Sequence, residues 1–179
     1  MKQENRKPII FLSYSWNNDY IANEIDSFFK SIGLILKRDT RDAKYKDSIT
    51  QYMKDIGDAD YVLMILSNEF LKSPNCLFEA MELMIADGIN EKLLPIILDK
   101  TAIFKPEDRI DWIEYWEKKY KELNIDCKKV EQLSIDETIT EKLRQYDFIK
   151  KNISKFLGIV SDLNAKTYEY HKGNNFKDI

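Results

Sequence analysis

Short, continuous apolar runs alternate along this chain with segments whose apolar residues recur every three or four positions. Ile9-Ile10-Phe11-Leu12 breaks at Ser13-Tyr14-Ser15-Trp16-Asn17-Asn18, and Tyr61-Val62-Leu63-Met64-Ile65-Leu66 breaks at Ser67-Asn68. Runs of that length, apolar at almost every position, read as strands buried on both faces of a parallel sheet. Between them Ile21, Ile25, Phe28, Phe29 and Ile32 line one face of a helix over residues 17–32, with Gly33 as its C-terminal cap. Leu34-Ile35-Leu36 reads as a second strand and residues 39–46 as a polar loop, while Ile49, Tyr52, Met53 and Ile56 mark a second helix closing at Gly57.

A helix over residues 73–87 comes next, then Leu93-Leu94-Pro95-Ile96-Ile97-Leu98 as a fourth strand that Pro95 makes short or irregular at its start. Trp112, Tyr115, Trp116 and Tyr120 crowd one helical segment, followed by a weak strand signal over residues 127–133. Ile149, Ile153, Phe156, Leu157 and Val160 form the stripe of a last helix. This alternation predicts an α/β domain over residues 1–163, with a parallel sheet, right-handed crossovers and helices on both faces. Residues 164–179 have no apolar period and contain Gly173-Asn174-Asn175, so they are expected to be a frayed end or a linker.

If the sheet passes from strand 1 to strand 2 on one side and from strand 3 to strand 4 on the other, the loops after strands 1 and 3 face each other across a crevice. The stretch Ser73-Pro74-Asn75-Cys76-Leu77-Phe78-Glu79 puts a carboxylate on a helix that opens there. Ser73 most simply caps that helix with Pro74 at its first position, and Cys76 most simply packs as a small hydrophobe. The apolar stripe of the helix is Phe78, Met81 and Ile85, flanked by Leu77 and Met84, so periodicity alone leaves Glu79 pointing nearly opposite, into solvent.

Composition narrows the function. A chain of 179 residues, 44% hydrophobic and 12% aromatic, suits one domain with a substantial core. No apolar run approaches the roughly 20 residues of a membrane-spanning helix, and the first seven residues lead into a strand rather than a cleavable signal, so a cytoplasmic location is expected. Two cysteines, Cys76 and Cys127, with the single His171, argue against a metal site or a disulfide framework. A net charge of −3, from 28 basic and 31 acidic residues, gives no footprint for nucleic acid.

Taken together, Ile10-Phe11-Leu12-Ser13-Tyr14-Ser15, the pair Arg38-Asp39, Tyr45-Lys46-Asp47-Ser48-Ile49 and Ser73-x-x-Cys76-x-x-Glu79 resemble the Toll/interleukin-1 receptor (TIR) domain over residues 8–100. The resemblance implies a flavodoxin-like three-layer sandwich whose five-stranded parallel sheet has the order 2-1-3-4-5. It also implies one of two activities. Some TIR domains are adaptors that assemble with one another through the loop after strand 2. Others, many of them bacterial, cleave NAD+ between nicotinamide and ribose with the glutamate that Glu79 matches. Two positions depart from the pattern: Lys46 stands where the loop after strand 2 often has glycine, and Asn75 stands where many NAD+-cleaving members have an aromatic four residues before the glutamate. Tyr14 or Trp16 is then the candidate to stack nicotinamide.

The expected activity is therefore an NAD+ glycohydrolase of bacterial, anti-phage defence, with NAD+ as substrate rather than cofactor and Glu79 as catalytic residue. Ser13, Tyr14, Trp16, Asp39, Ser73 and Cys76 are the expected substrate-binding residues, and the expected partners are further copies of the domain and a sensor domain or partner protein. Exposed loop and helix amides would hold the pyrophosphate, since the chain has no Gly-rich fingerprint. By the residues alone, Tyr14 and Trp16 are equally core or rim aromatics, and Asp39 equally caps a turn. The competing function is a non-catalytic TIR interaction module. A phosphoacceptor or flavin carrier of the same fold lacks the acidic cluster or phosphate loop it needs.

Overall fold

A computed structural model describes residues 6–38, 59–85, 89–98, 100–130, 136–163, 165–177 and 179. Its sheet has five parallel strands, β1 (Ile10–Ser13), β2 (Leu36–Arg38), β3 (Tyr61–Leu66), β4 (Leu93–Ile97) and β5 (Lys166–Thr167), in the order β2-β1-β3-β4-β5. β1 and β3 lie side by side, Ile10 opposite Tyr61 and Ser13 opposite Met64. The flavodoxin-like order expected of the chain is the one observed.

Both sheet faces are buried over β1, β3 and β4, which is why these strands carry no polar alternation. Phe11, Val62, Met64, Leu66, Leu93 and Ile97 pack on one side against α3 (Pro74–Ile85), α4 (Pro106–Lys129) and α5 (Glu137–Asp162). Ile10, Leu12, Leu36, Leu63, Ile65 and Ile96 pack on the other against α1 (Asp19–Ser31) and the C-terminal segment. α1 ends as its glycine predicts. Gly33 adopts φ +79°, its amide bonds Lys30 O at 3.0 Å and the Leu34 amide returns to Phe29 O at 2.9 Å, the paired bonds of a Schellman cap. Because Leu34 belongs to that cap, β2 begins at Leu36 rather than at the expected Leu34.

Pro95 sits inside β4, opposite Met64, in regular register. The Leu98 amide bonds Leu66 O on β3 at 2.9 Å; amides alternate sides along a strand, so position 95 faces away from β3. β5 pairs only with Ile96 and Ile97 there, so the missing N–H costs no ladder bond.

The C-terminal third corrects the sequence reading. Cys127 lies in the last turn of α4, not in a strand, and residues 131–135 lie outside the described residues. The fifth strand comes instead from the stretch expected to be frayed: Lys166–Thr167 pairs with β4, and α6 (Tyr168–Gly173) follows. Tyr168 and Phe176 are buried against the α1 face, Phe176 with its ring centroid 5.3 Å from that of Phe28. A two-residue strand and a six-residue helix are too short to show a hydrophobic period. The expected second helix around Ile49–Ile56 lies outside the described residues.

Candidate active site

The chain's polar chemistry gathers at the C-terminal end of the sheet, where the order of the strands reverses. Beyond β1 the chain makes one 3-10 turn, Trp16–Asn18, before α1; beyond β3 it makes the single-turn helix α2 (Asn68–Lys72) before α3. Ser67 Oγ accepts the Phe70 amide at 3.0 Å, capping α2, and donates to Asn18 Oδ1 at 2.7 Å. Both residues are buried, so this bond ties the first βα loop to the third.

Between the tied loops lies a cleft of about 530 Å³, a volume suited to a small-molecule ligand. Ser13, Tyr14, Ser15, Trp16 and Asn17 form one wall, Glu69 and Lys72 of α2 part of the other, and Ser73, Asn75, Cys76 and Glu79 the rest. Six expected site residues, Ser13, Tyr14, Trp16, Ser73, Cys76 and Glu79, thus meet in one place, while Asp39 lies outside the described residues. Periodicity missed Glu69 and Lys72 because α2 is only five residues long. The signal that would have found them is Ser67, a capping residue directly after an apolar strand.

Glu79 departs most from the apolar pattern of its helix. That pattern turns it to solvent, yet it is buried, with 3% of its surface exposed. α3 is covered on more than its sheet side: α5 runs alongside it, with the Phe78 and Phe148 rings 5.0 Å apart, and the cleft takes the face that carries Glu79. Glu82, one turn on, lies outside the cleft lining and is half-buried; burial pushes its carboxyl above the usual carboxylate range.

The two aromatics of the first loop are held differently. The Tyr14 hydroxyl donates to Asp19 Oδ1 at 2.9 Å and accepts from Arg38 Nη2 at 2.9 Å, with the Arg38 guanidinium 5.2 Å from the ring centroid. Arg38 also bonds Asp19 at 2.8 Å and Asn23 at 2.6 Å. Burial, followed by the hydrogen bond to Asp19, raises the Tyr14 pKa, and the Tyr14 hydroxyl in turn holds the Asp19 carboxyl below its ordinary value. Tyr14 is therefore a clamped wall of the cleft. Trp16 lines the cleft and exposes 60% of its surface.

Ser73 and Pro74 begin α3 as expected, Ser73 Oγ accepting the Cys76 amide at 3.3 Å. Cys76 both lines the cleft and packs on the core beneath.

The family model of the TIR domain matches residues 10–129. With that match over two thirds of its length, the chain belongs to the TIR domain family. The fold is similar to that of the TIR domains in the structure of the activated Roq1 resistosome directly recognizing the pathogen effector XopQ, with a TM-score of 0.59 and 16% identity over 96% of this chain and 94% of that one. At that identity the likeness concerns the fold alone. No curated protein matches the sequence. Among the described residues no helix is long and apolar enough to cross a membrane.

Proposed function

We propose that this TIR domain is an NAD+ glycohydrolase that acts in defence and is activated by self-assembly. The observation that carries the reading is the buried carboxylate of Glu79 on the wall of a ligand-sized cleft at the sheet's switch point. NAD+ already carries a cationic leaving group, so the nicotinamide–ribose bond breaks with its electron pair passing to the pyridinium nitrogen and no general acid is required. What the reaction needs is a negative charge beside the ribose as it becomes an oxocarbenium ion. Glu79 supplies that charge. Water then adds to the ribose carbon and loses a proton, giving ADP-ribose; attack by an adenine nitrogen of the same molecule gives a cyclic product.

Asn75 lines the cleft where an aromatic is expected in many NAD+-cleaving members, and this favours the second reading, a non-catalytic interaction module. The exposed ring of Trp16 answers it. Tyr14 already carries Arg38 on its ring, whereas Trp16 remains accessible at the cleft mouth to stack nicotinamide. Membership of an activated resistosome by the structurally similar TIR domains supports self-association. NAD+ incubated with concentrated protein should release nicotinamide, resolved by chromatography together with ADP-ribose or its cyclic form. Intact NAD+ at high protein concentration would favour the adaptor.

A further inference from the structure

The cleft poses an electrostatic question that Glu79 does not answer. A dinucleotide brings a diphosphate as well as a cationic ring, yet among the described residues the charged groups lining the cleft are two carboxylates, Glu69 and Glu79, and one cation, Lys72. The opening of α3 offers little to an anion. Pro74 has no N–H, the Cys76 amide is taken by Ser73 Oγ at 3.3 Å and the Leu77 amide by Ser73 O at 3.1 Å. Of the first four positions only the Asn75 amide is left, so the helix end expected to hold the pyrophosphate is already largely satisfied. Arg38, on β2 nearby, is committed to Tyr14, Asp19 and Asn23. Lys72, by contrast, makes no hydrogen bond or ion pair among the described residues and ends α2 directly beside Ser73.

We propose that Lys72 binds the diphosphate of the substrate, an inference that rests on the glycohydrolase reading. An ammonium on a flexible stem suits this task, since it meets either phosphate as a point charge without a fixed fork. It also places the anionic half of the ligand at α2 and the cationic ring toward Trp16 and Glu79, so that one binding orientation is favoured over its reverse.

The test compares wild type, Lys72→Gln and Lys72→Arg by calorimetric titration with ADP-ribose and by steady-state kinetics with NAD+. Lys72→Gln is expected to raise both the ADP-ribose Kd and the NAD+ KM by about fivefold, with kcat unchanged. Lys72→Arg, which keeps the charge, should restore both, and the wild-type KM should rise with ionic strength more steeply than that of Lys72→Gln. Equal ADP-ribose affinity in wild type and Lys72→Gln would overturn the proposal, as would an Lys72→Arg variant as impaired as Lys72→Gln or a wild type that does not bind ADP-ribose. Lys72-dependent ADP-ribose binding without NAD+ cleavage upholds this proposal and removes the glycohydrolase reading; cleavage indifferent to Lys72 does the reverse.

Discussion

Two glutamates one turn apart on α3 are held in opposite conditions, and their difference is measurable. Glu79 faces a cleft shaped for a ligand, while Glu82 is desolvated without lining it. A carboxyl whose pKa is raised on folding binds more protons in the native than in the unfolded state, so its contribution to stability declines as pH rises above the unfolded value near 4.5. Glu82→Gln should therefore melt at or above the wild-type temperature at pH 7, the difference closing below pH 4.5; a lower melting point at neutral pH would contradict the desolvated position. Trp16→Ala should raise the KM for NAD+ by about tenfold through lost stacking. With 60% of the residue exposed, the melting temperature should change by no more than about 2 °C. Ser73, Pro74 and the gathering of Ser13, Tyr14, Trp16, Cys76 and Glu79 were legible in the sequence because capping chemistry and strand-end loops are local signals. The burial of Glu79 was not, since it depends on the cleft that α2 and the first loop, the latter distant in the sequence, form against α3.

At the scale of elements, the part of the molecule most open to test is the C-terminal segment. Tyr168 donates to Glu24 Oε2 at 2.5 Å, Lys172 pairs with Glu24 at 3.0 Å, and Phe176 closes over Phe28. Burial and the bond to Glu24 push the Tyr168 hydroxyl up to about 12. Since an unfolded tyrosine ionises near 10, the native state alone keeps its proton between these values, so the contribution of Tyr168 to the tail's docking is fully present below pH 10 and lost as pH rises through about 12. Hydrogen exchange across residues 166–177 should accelerate in that window, and Tyr168→Phe should remove the alkaline step. Phe176→Ala should cost about 3 kcal/mol of stability, seen in denaturant unfolding; a loss under about 0.5 kcal/mol would mean that the segment is not docked in solution. Strands buried on both faces and the stripes of α1 and α5 were readable because each spans enough residues to show a period. β5 and α6 were not, being too short for a period to recur and held by tertiary contacts, including an aromatic at φ 52° that its burial sustains.

For the whole molecule, the sheet order, the paired loops and the family membership converge on one cleft, and the account turns on what that cleft does with NAD+. The proposed activation by self-assembly predicts that specific activity rises steeply with protein concentration; constant specific activity from a protein that stays monomeric would contradict it. The central claim is tested most directly by NAD+ turnover in wild type and Glu79→Gln, with Glu82→Gln as the internal control. The substitution keeps the size of the side chain while removing the charge that the proposed mechanism sets beside the oxocarbenium ion. Nicotinamide release should fall by about 100-fold or more in Glu79→Gln and persist in Glu82→Gln, with all three proteins folded. Full activity in Glu79→Gln would place the chemistry elsewhere, and equal loss in both variants would indicate damage to α3 rather than a missing catalytic charge.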